Sequence, residues 1–509
     1  MITLNGFDLK GGNMSIKKNM KIKTLKGVSS KFVADIIKLA LKNSVTRKMI
    51  IKIVEKYYLV FKDPARPERI EEDRNALLRA LLYSFDRILS HKGISKNAME
   101  RLIDIFFLKV FIKDPRPREK YTRAFGFPPP AFVTISPTNV CNLKCKGCYA
   151  GEIYKGITME YEIFDRIITD MKNEFGSHFT VISGGEPFSY NDRGRTLVDI
   201  LKKHRDNYFL VYTNGTLIDE KMAKQLGELG NIAPAISVEG FEKETDWRRG
   251  EGVWKKIMNA MDNLKKYGVP FGISVTPTRN NYQVLLSDEF LNFFFKEKGA
   301  FFGWYFQYMP IGRKPSMDLM ITPEQRVAMY KRMWQKVRED KLFIADFWNS
   351  GTTSDGCMAG ASQKGYFYIM WDGTVTPCVF VPFADKNYGN IFEVYKRGET
   401  LTDLVTKSAL FSAIREWQYS YFCIEDWREK KYGNLMTPCF IRDNSSAFYE
   451  IVKKVEAKPV DDGAKEYLSL VEKGDMPKYN RKLKELTDPV WEKEYLGKNE
   501  RVSEKKSSK

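Results

Sequence analysis

Apolar residues return every three to four positions through the first part of the chain, the period of helices with one buried face. Phe32, Val33, Ile36, Ile37, Ala40 and Leu41 line one side of such a helix, and Lys31, Asp35, Lys38 and Lys42 the other. Comparable stretches run over 48–61, 68–89 and, more apolar, 99–113, so residues 1–113 read as a helical N-terminal domain. The passage 114–130, DPRPREKYTRAFGFPPP, holds too much proline to continue a helix and reads as a linker.

From 131 to 340 the pattern changes to short apolar strands alternating with amphipathic helices. Candidate strands are 132–136, 179–183, 208–213, 233–238, 271–276 and 303–309. A helix over 159–175 places Ile163, Phe164, Ile167, Ile168 and Met171 on one face. Repeats of this kind imply an α/β fold with a parallel sheet, open or partly closed as a barrel, whose chemistry gathers at the strands' C-terminal ends. Residues 341–442 carry glycines and cysteines and a hairpin, 366–371 with 374–378, turned at Asp372 and Gly373. Residues 443–509 read as a helical extension with a disordered tail over 501–509.

The net charge of +19 is uneven: residues 1–130 hold 28 Lys and Arg against 13 Asp and Glu. A basic module on a near-neutral body points to an anionic partner, either a membrane surface or a nucleic acid, with nucleic acid the less expected; a basic solvated face is the alternative. No uncharged apolar run reaches the roughly 18 residues of a spanning helix, and Met1 to Met14 lack the apolar centre of a signal peptide. Seven cysteines, an odd number, fit metal-bound thiolates in a reducing cytoplasm better than disulfides. A cytoplasmic protein, peripheral at the inner face of the membrane, is the expectation.

Cys141, Cys145 and Cys148 lie within eight residues, directly after the first candidate strand. Three thiolates leave one iron of a cubane cluster free, whereas a structural zinc site takes four ligands and is closed. A zinc knuckle with a distant fourth ligand is the alternative. The spacing CxxxCxxC followed by Tyr149 resembles the signature of the radical S-adenosylmethionine superfamily. That resemblance implies a [4Fe–4S] cluster whose free iron chelates S-adenosylmethionine (SAM) and whose electron releases a 5′-deoxyadenosyl radical. It also implies an external one-electron reductant such as ferredoxin or flavodoxin, and a partial (β/α)6 barrel.

Later motifs agree with the first. Ser183-Gly184-Gly185-Glu186-Pro187 resembles the element that receives the methionyl amine, its glycines letting backbone groups approach a ligand and the Glu186 carboxylate accepting from the ammonium. Thr213-Asn214-Gly215 and Ser237-Val238-Glu239-Gly240 resemble two further family elements, with Glu239 in place of the usual aspartate. By the resemblance Ser237 faces the cofactor's ribose or carboxylate. Arg249 is the candidate partner for that carboxylate, though Arg248 stands beside it, and Gln307 and Tyr308 either line the adenine side or pack the barrel.

Cys357, Gly373 and Cys378 space as C-x15-G-x4-C, followed by Cys423 and Cys439. This resembles the SPASM auxiliary-cluster domain in its shortened Twitch form, which implies a second [4Fe–4S] cluster on these four cysteines. The alternative keeps Cys423 and Cys439 as buried core thiols. His91, His178 and His204 fall in no metal-ligand pair, and no phosphate-binding loop or serine elbow appears. The resemblance covers roughly 132–440. It implies hydrogen abstraction from an unactivated carbon, of a membrane lipid or isoprenoid chain on one reading and of a peptide or protein side chain on another. A third reading is an electron-transfer protein that keeps its clusters without cleaving SAM.

Overall fold

The computed structural model describes residues 43–57, 59, 66–90, 93–111, 116–150, 156–361, 365–422 and 433–497. The helix expected over 32–41, Cys423, His91 and the tail 501–509 lie outside the described residues.

Nine strands form the central sheet: β1 (Phe132–Ile135), β2 (Phe179–Ile182), β3 (Tyr208–Thr213), β4 (Ile232–Val238), β5 (Gly272–Val275), β6 (Gly303–Tyr305), β7 (Ile344–Asp346), β8 (Tyr366–Ile369) and β9 (Val375–Thr376). Their order is β9-β8-β1-β2-β3-β4-β5-β6-β7, and every neighbouring pair is parallel except β8 with β9. Alternation along each strand divides the core in two. Val133 and Ile135 of β1 pack outward with Phe164, Ile167 and Ile168 of the helix Tyr161–Phe175, while Phe132 and Thr134 face a central cavity.

Two boundaries differ from the expectation. The barrel does not end at 340, because β7 adds a seventh parallel strand beyond it. The hairpin assigned to a separate cluster domain is also part of the sheet, with Phe132 of β1 in register with Tyr366 of β8. All four residues of β8 are buried, as befits a strand covered on both faces. The sixth strand stops at Tyr305, so Gln307 to Met309 belong to the loop that follows.

The linker is a correction too: Arg116–Phe125 is helical. Pro117 sits in the first turn, where a missing N–H costs nothing. Arg118 then holds the following turn by donating to the carbonyls of Pro129 (2.6 Å) and Pro130 (3.1 Å). The helix Glu68–Ser90, the helix Lys96–Arg101 and the π-helical stretch Leu102–Phe111 pack their apolar faces on the barrel's N-terminal end. Leu81 and Leu102 are 1% and 2% exposed, and the Phe106 ring lies 5.5 Å from Tyr208. At about 1.5–3 kcal/mol for each large apolar side chain removed from water, this seam makes helices and barrel one body. These faces are therefore covered by protein. An exposed apolar stripe remains on the helix Ser44–Tyr57, where Val45, Met49 and Ile53 project beside exposed Lys48 and Lys52.

A buried polar hub ties the two ends of the described chain. Asp73 of the helix Glu68–Ser90, 0% exposed, accepts from Arg338, from the Thr352 hydroxyl (2.8 Å) and from the Tyr495 hydroxyl (2.7 Å). Among the described residues, no helix is long and apolar enough to cross a membrane.

Candidate active site

The loop after β1 carries Cys141, Cys145 and Cys148, and the strand ends that follow hold it in place. The Gly185 and Glu186 backbone N–H groups donate to the carbonyls of Thr138 (3.0 Å) and Val140 (2.8 Å). A Cβ on Gly184 would lie 2.7 Å from the Thr138 oxygen, and one on Gly185 2.3 Å from that of Val140. The glycines are thus required for backbone to meet backbone, a contact with the cysteine loop rather than only with a ligand. Both still line the central cavity, as do all three thiol-bearing residues. The Tyr149 and Ser183 hydroxyls are hydrogen-bonded at 2.5 Å, which closes the loop onto the end of β2.

Glu186 is 0% exposed and lies off the cavity wall. Its Oε1 accepts from the Thr213 hydroxyl (2.7 Å) and the Phe188 N–H (3.1 Å), and its Oε2 from the Asn214 N–H (2.8 Å). Burial pushes its pKa up, against these hydrogen bonds. Three of the carboxylate's acceptor positions are therefore taken by protein, and the acidic side chain expected to receive an ammonium group instead joins two motifs. Asn214 donates to Asn142 (2.8 Å) and sits 3.9 Å from the Cys141 sulfur.

Ser237, near the end of β4, lines the cavity in register with Ser274 of β5. Glu239, directly after the end of β4 and 0% exposed, binds both arginines through Oε1: Arg248 Nη1 at 2.5 Å and Arg249 Nη2 at 2.6 Å. The arginines are otherwise unlike. Arg248 donates to the carbonyls of Lys146 (3.2 Å) and Gly147 (3.4 Å), and its own carbonyl accepts from the Lys146 N–H (2.9 Å), so it clamps the cysteine loop. Arg249 places Nη1 4.0 Å from the Cys145 sulfur. The longer glutamate at the position of the usual aspartate reaches between the two guanidinium groups.

A second thiol set lies beside Tyr366 of β8. Burial raises the thiols of Cys357, Cys378 and Cys439, taking Cys378 up to about 12, and a Cys357 thiolate is near enough to raise Cys378 and Cys439 further. The Tyr366 hydroxyl stands 3.0 Å from the Cys378 sulfur, and Cys439 caps the helix Phe440–Asp443. Gly373, at φ +81°, turns the hairpin as its spacing predicts.

The cavity, about 340 Å3, runs from the cysteine loop to the N-terminal helices. Gln307 and Tyr308 line it and are nearly fully buried; Gln307 donates to Asp346 at 2.7 Å. Asp346 and Tyr366 were missed from the sequence. Both line the cavity, but one ends a three-residue strand and the other sits in a hairpin, and neither carries a motif.

Among the described residues, no three His, Cys, Asp or Glu side chains close around a single metal ion. The donor chemistry nevertheless suits iron–sulfur clusters: each set is made of thiols alone, one on the cavity wall and one off it, with Cys378 and Cys439 buried and Cys357 half-buried. Burial raises the Cys141 thiol to about 11 and also raises Cys148, so a bound cation is what would favour the thiolates here.

Residues 135–286 match the family model described as the radical SAM superfamily. An Fe-coproporphyrin III synthase of Methanosarcina barkeri is 32% identical over 155 residues, 29% of this chain and 37% of that protein. A cysteine-type anaerobic sulfatase-maturating enzyme of Clostridium perfringens is 26% identical over 299 residues, 52% of this chain and 78% of that protein. The match thus spans little more than a third of the first relative. The crystal structure of Streptococcus suis SuiB is similar with a TM-score of 0.49 at 17% identity, covering 62% of this chain and 78% of that one.

Proposed function

We propose, since the chain belongs to the radical SAM superfamily through residues 135–286, that it removes a hydrogen atom from an unactivated carbon of its substrate. The observation that carries this reading is that the three thiol-bearing residues, Gly184, Gly185, Asn214, Ser237 and Arg249 share one cavity. When bound, a [4Fe–4S] cluster and SAM supply one-electron cleavage of a carbon–sulfur bond and, through it, hydrogen-atom abstraction.

In this reading Cys141, Cys145 and Cys148 hold the SAM-binding cluster. The methionyl ammonium is received by backbone carbonyls beside Gly184 and Gly185, with Glu186 fixing that backbone from behind. Arg249 faces the carboxylate, Arg248 holds the loop, and Asn214 and Ser237 orient the remainder of the cofactor. Cys357, Cys378 and Cys439, with Cys423 beyond the described residues, hold an auxiliary cluster. The electron comes from an external donor such as ferredoxin or flavodoxin.

The substrate is an alkyl or isoprenoid chain, a reading supported by the apolar wall of the cavity below the thiols. A second reading, a peptide or protein side chain, is supported by relatives named for sulfatase and sporulation killing factor maturation. Anaerobic protein reduced with dithionite in the presence of SAM is expected to release 5′-deoxyadenosine. Its absence from protein with a full iron complement would leave only the electron-transfer reading.

A further inference from the structure

The barrel's interior is open where such interiors are usually filled by layers of bulky branched side chains. Four of the seven side chains that face it at mid-height are small: Thr134, Ala233, Ser274 and Ala345. Thr134, Val181, Leu210 and Ala233 stand in register across β1 to β4, and Ser274 and Ala345 flank Trp304 across β5 to β7. Along β2 and the residue after it the cavity touches Phe179, Val181 and Ser183, four residue steps or about 13 Å at ~3.3 Å per step. Its floor is Leu81, Leu102 and Phe106 of the N-terminal helices.

Among the described residues, two donors on this wall are unsatisfied. The Tyr208 hydroxyl, on a residue 2% exposed, and the Trp304 indole N–H are buried without a hydrogen-bond partner. Buried donors are ordinarily paired, so a ligand oxygen at this depth would complete them. Tyr208 is in register with Phe179 near the closed end.

We propose that the lumen between the thiols and the N-terminal helices binds a neutral chain lipid, alkyl or isoprenoid, whose acceptor oxygen meets Tyr208 and Trp304. The proposal rests on the radical SAM reading only in setting the reacting carbon at the mouth. A polypeptide suits this depth poorly, because each residue brings a donor and an acceptor and the wall is largely hydrocarbon. The N-terminal helices thereby become the end-stop that limits how far a chain enters.

Equilibrium dialysis of radiolabelled 1-dodecanol against the cluster-loaded protein is expected to reveal a saturable site. Ala345→Phe, which fills mid-lumen, should weaken binding by about tenfold or more. Tyr208→Phe removes only the hydroxyl and should weaken dodecanol about fivefold relative to dodecane, the scale of one hydrogen bond. Dodecanol that does not bind saturably, or binds equally well to Ala345→Phe with unchanged circular dichroism and iron content, overturns the proposal in favour of a site used only at its mouth. An unchanged dodecanol-to-dodecane ratio in Tyr208→Phe removes the assigned oxygen contact and overturns it as stated. Release of 5′-deoxyadenosine is measured on the same samples. Release without dodecanol binding overturns the lumen and leaves the radical SAM reading; binding without release does the reverse.

Discussion

The Asn214 backbone N–H donates to the Glu186 carboxylate at 2.8 Å, joining the ends of β2 and β3 behind the cavity. The other oxygen accepts from Thr213 and Phe188. An amide at 186 would turn its NH2 toward a backbone N–H in either orientation. Glu186→Gln is therefore expected to destabilise the fold by about 1–3 kcal/mol and to weaken SAM binding through the displaced loop. Urea unfolding checks the first effect. Unchanged stability with lost cofactor binding would return the carboxylate to direct contact with the ligand.

Replacing Cys141, Cys145 and Cys148 together by alanine should remove about half of the iron, and replacing Cys357, Cys378 and Cys439 the other half. Iron analysis and absorbance of anaerobically prepared protein read this out. The second variant should still release 5′-deoxyadenosine. Full iron in the first variant would overturn the ligand assignment.

Arg248 and Arg249 share one carboxylate oxygen of Glu239 but should fail differently. Arg248→Lys loses donors to the Lys146 and Gly147 carbonyls and should lower iron content by loosening the loop. Arg249→Lys should keep its iron and lower SAM affinity by about tenfold, the worth of a charge-assisted hydrogen bond. Equal effects of the two substitutions on both readouts would refute this division.

The stripe Val45, Met49 and Ile53 beside Lys48 and Lys52 suits an anionic bilayer. The full chain should co-sediment with vesicles of phosphatidylglycerol, be released by high salt, and bind phosphatidylcholine little. Val45→Glu with Met49→Glu should abolish retention. Persistent retention in this double variant would move the contact elsewhere on the chain.

The strands β1 to β5 were legible because each is a short apolar run closed by turn residues, and the three-thiol loop because its spacing is local. What escaped detection was set by tertiary context. Ile344–Asp346 is too short for any period to appear, and it forms a strand because β6 offers an edge. The hairpin Tyr366–Thr376 was read correctly as a hairpin, but its place beside Phe132 depends on burial of both faces. In the site, the spacing located Gly184 and Gly185, whereas their role against Thr138 and Val140 required seeing which backbone stood opposite. Arg248 and Arg249 are adjacent in sequence, and only their partners tell them apart.

The meeting of Asp73 with Tyr495 bears on how the molecule is made. The two are separated by 422 positions, so the early helix reaches the ribosome's exit long before the hydroxyl that completes its buried hub. At ~5–20 residues per second the nascent chain carries that carboxylate incompletely satisfied for about 20 to 80 seconds. During that interval the carboxylate gains Arg338 and Thr352 as they are made but still lacks Tyr495, and a chaperone that shields the helix Glu68–Ser90 until release would act where the waiting is longest.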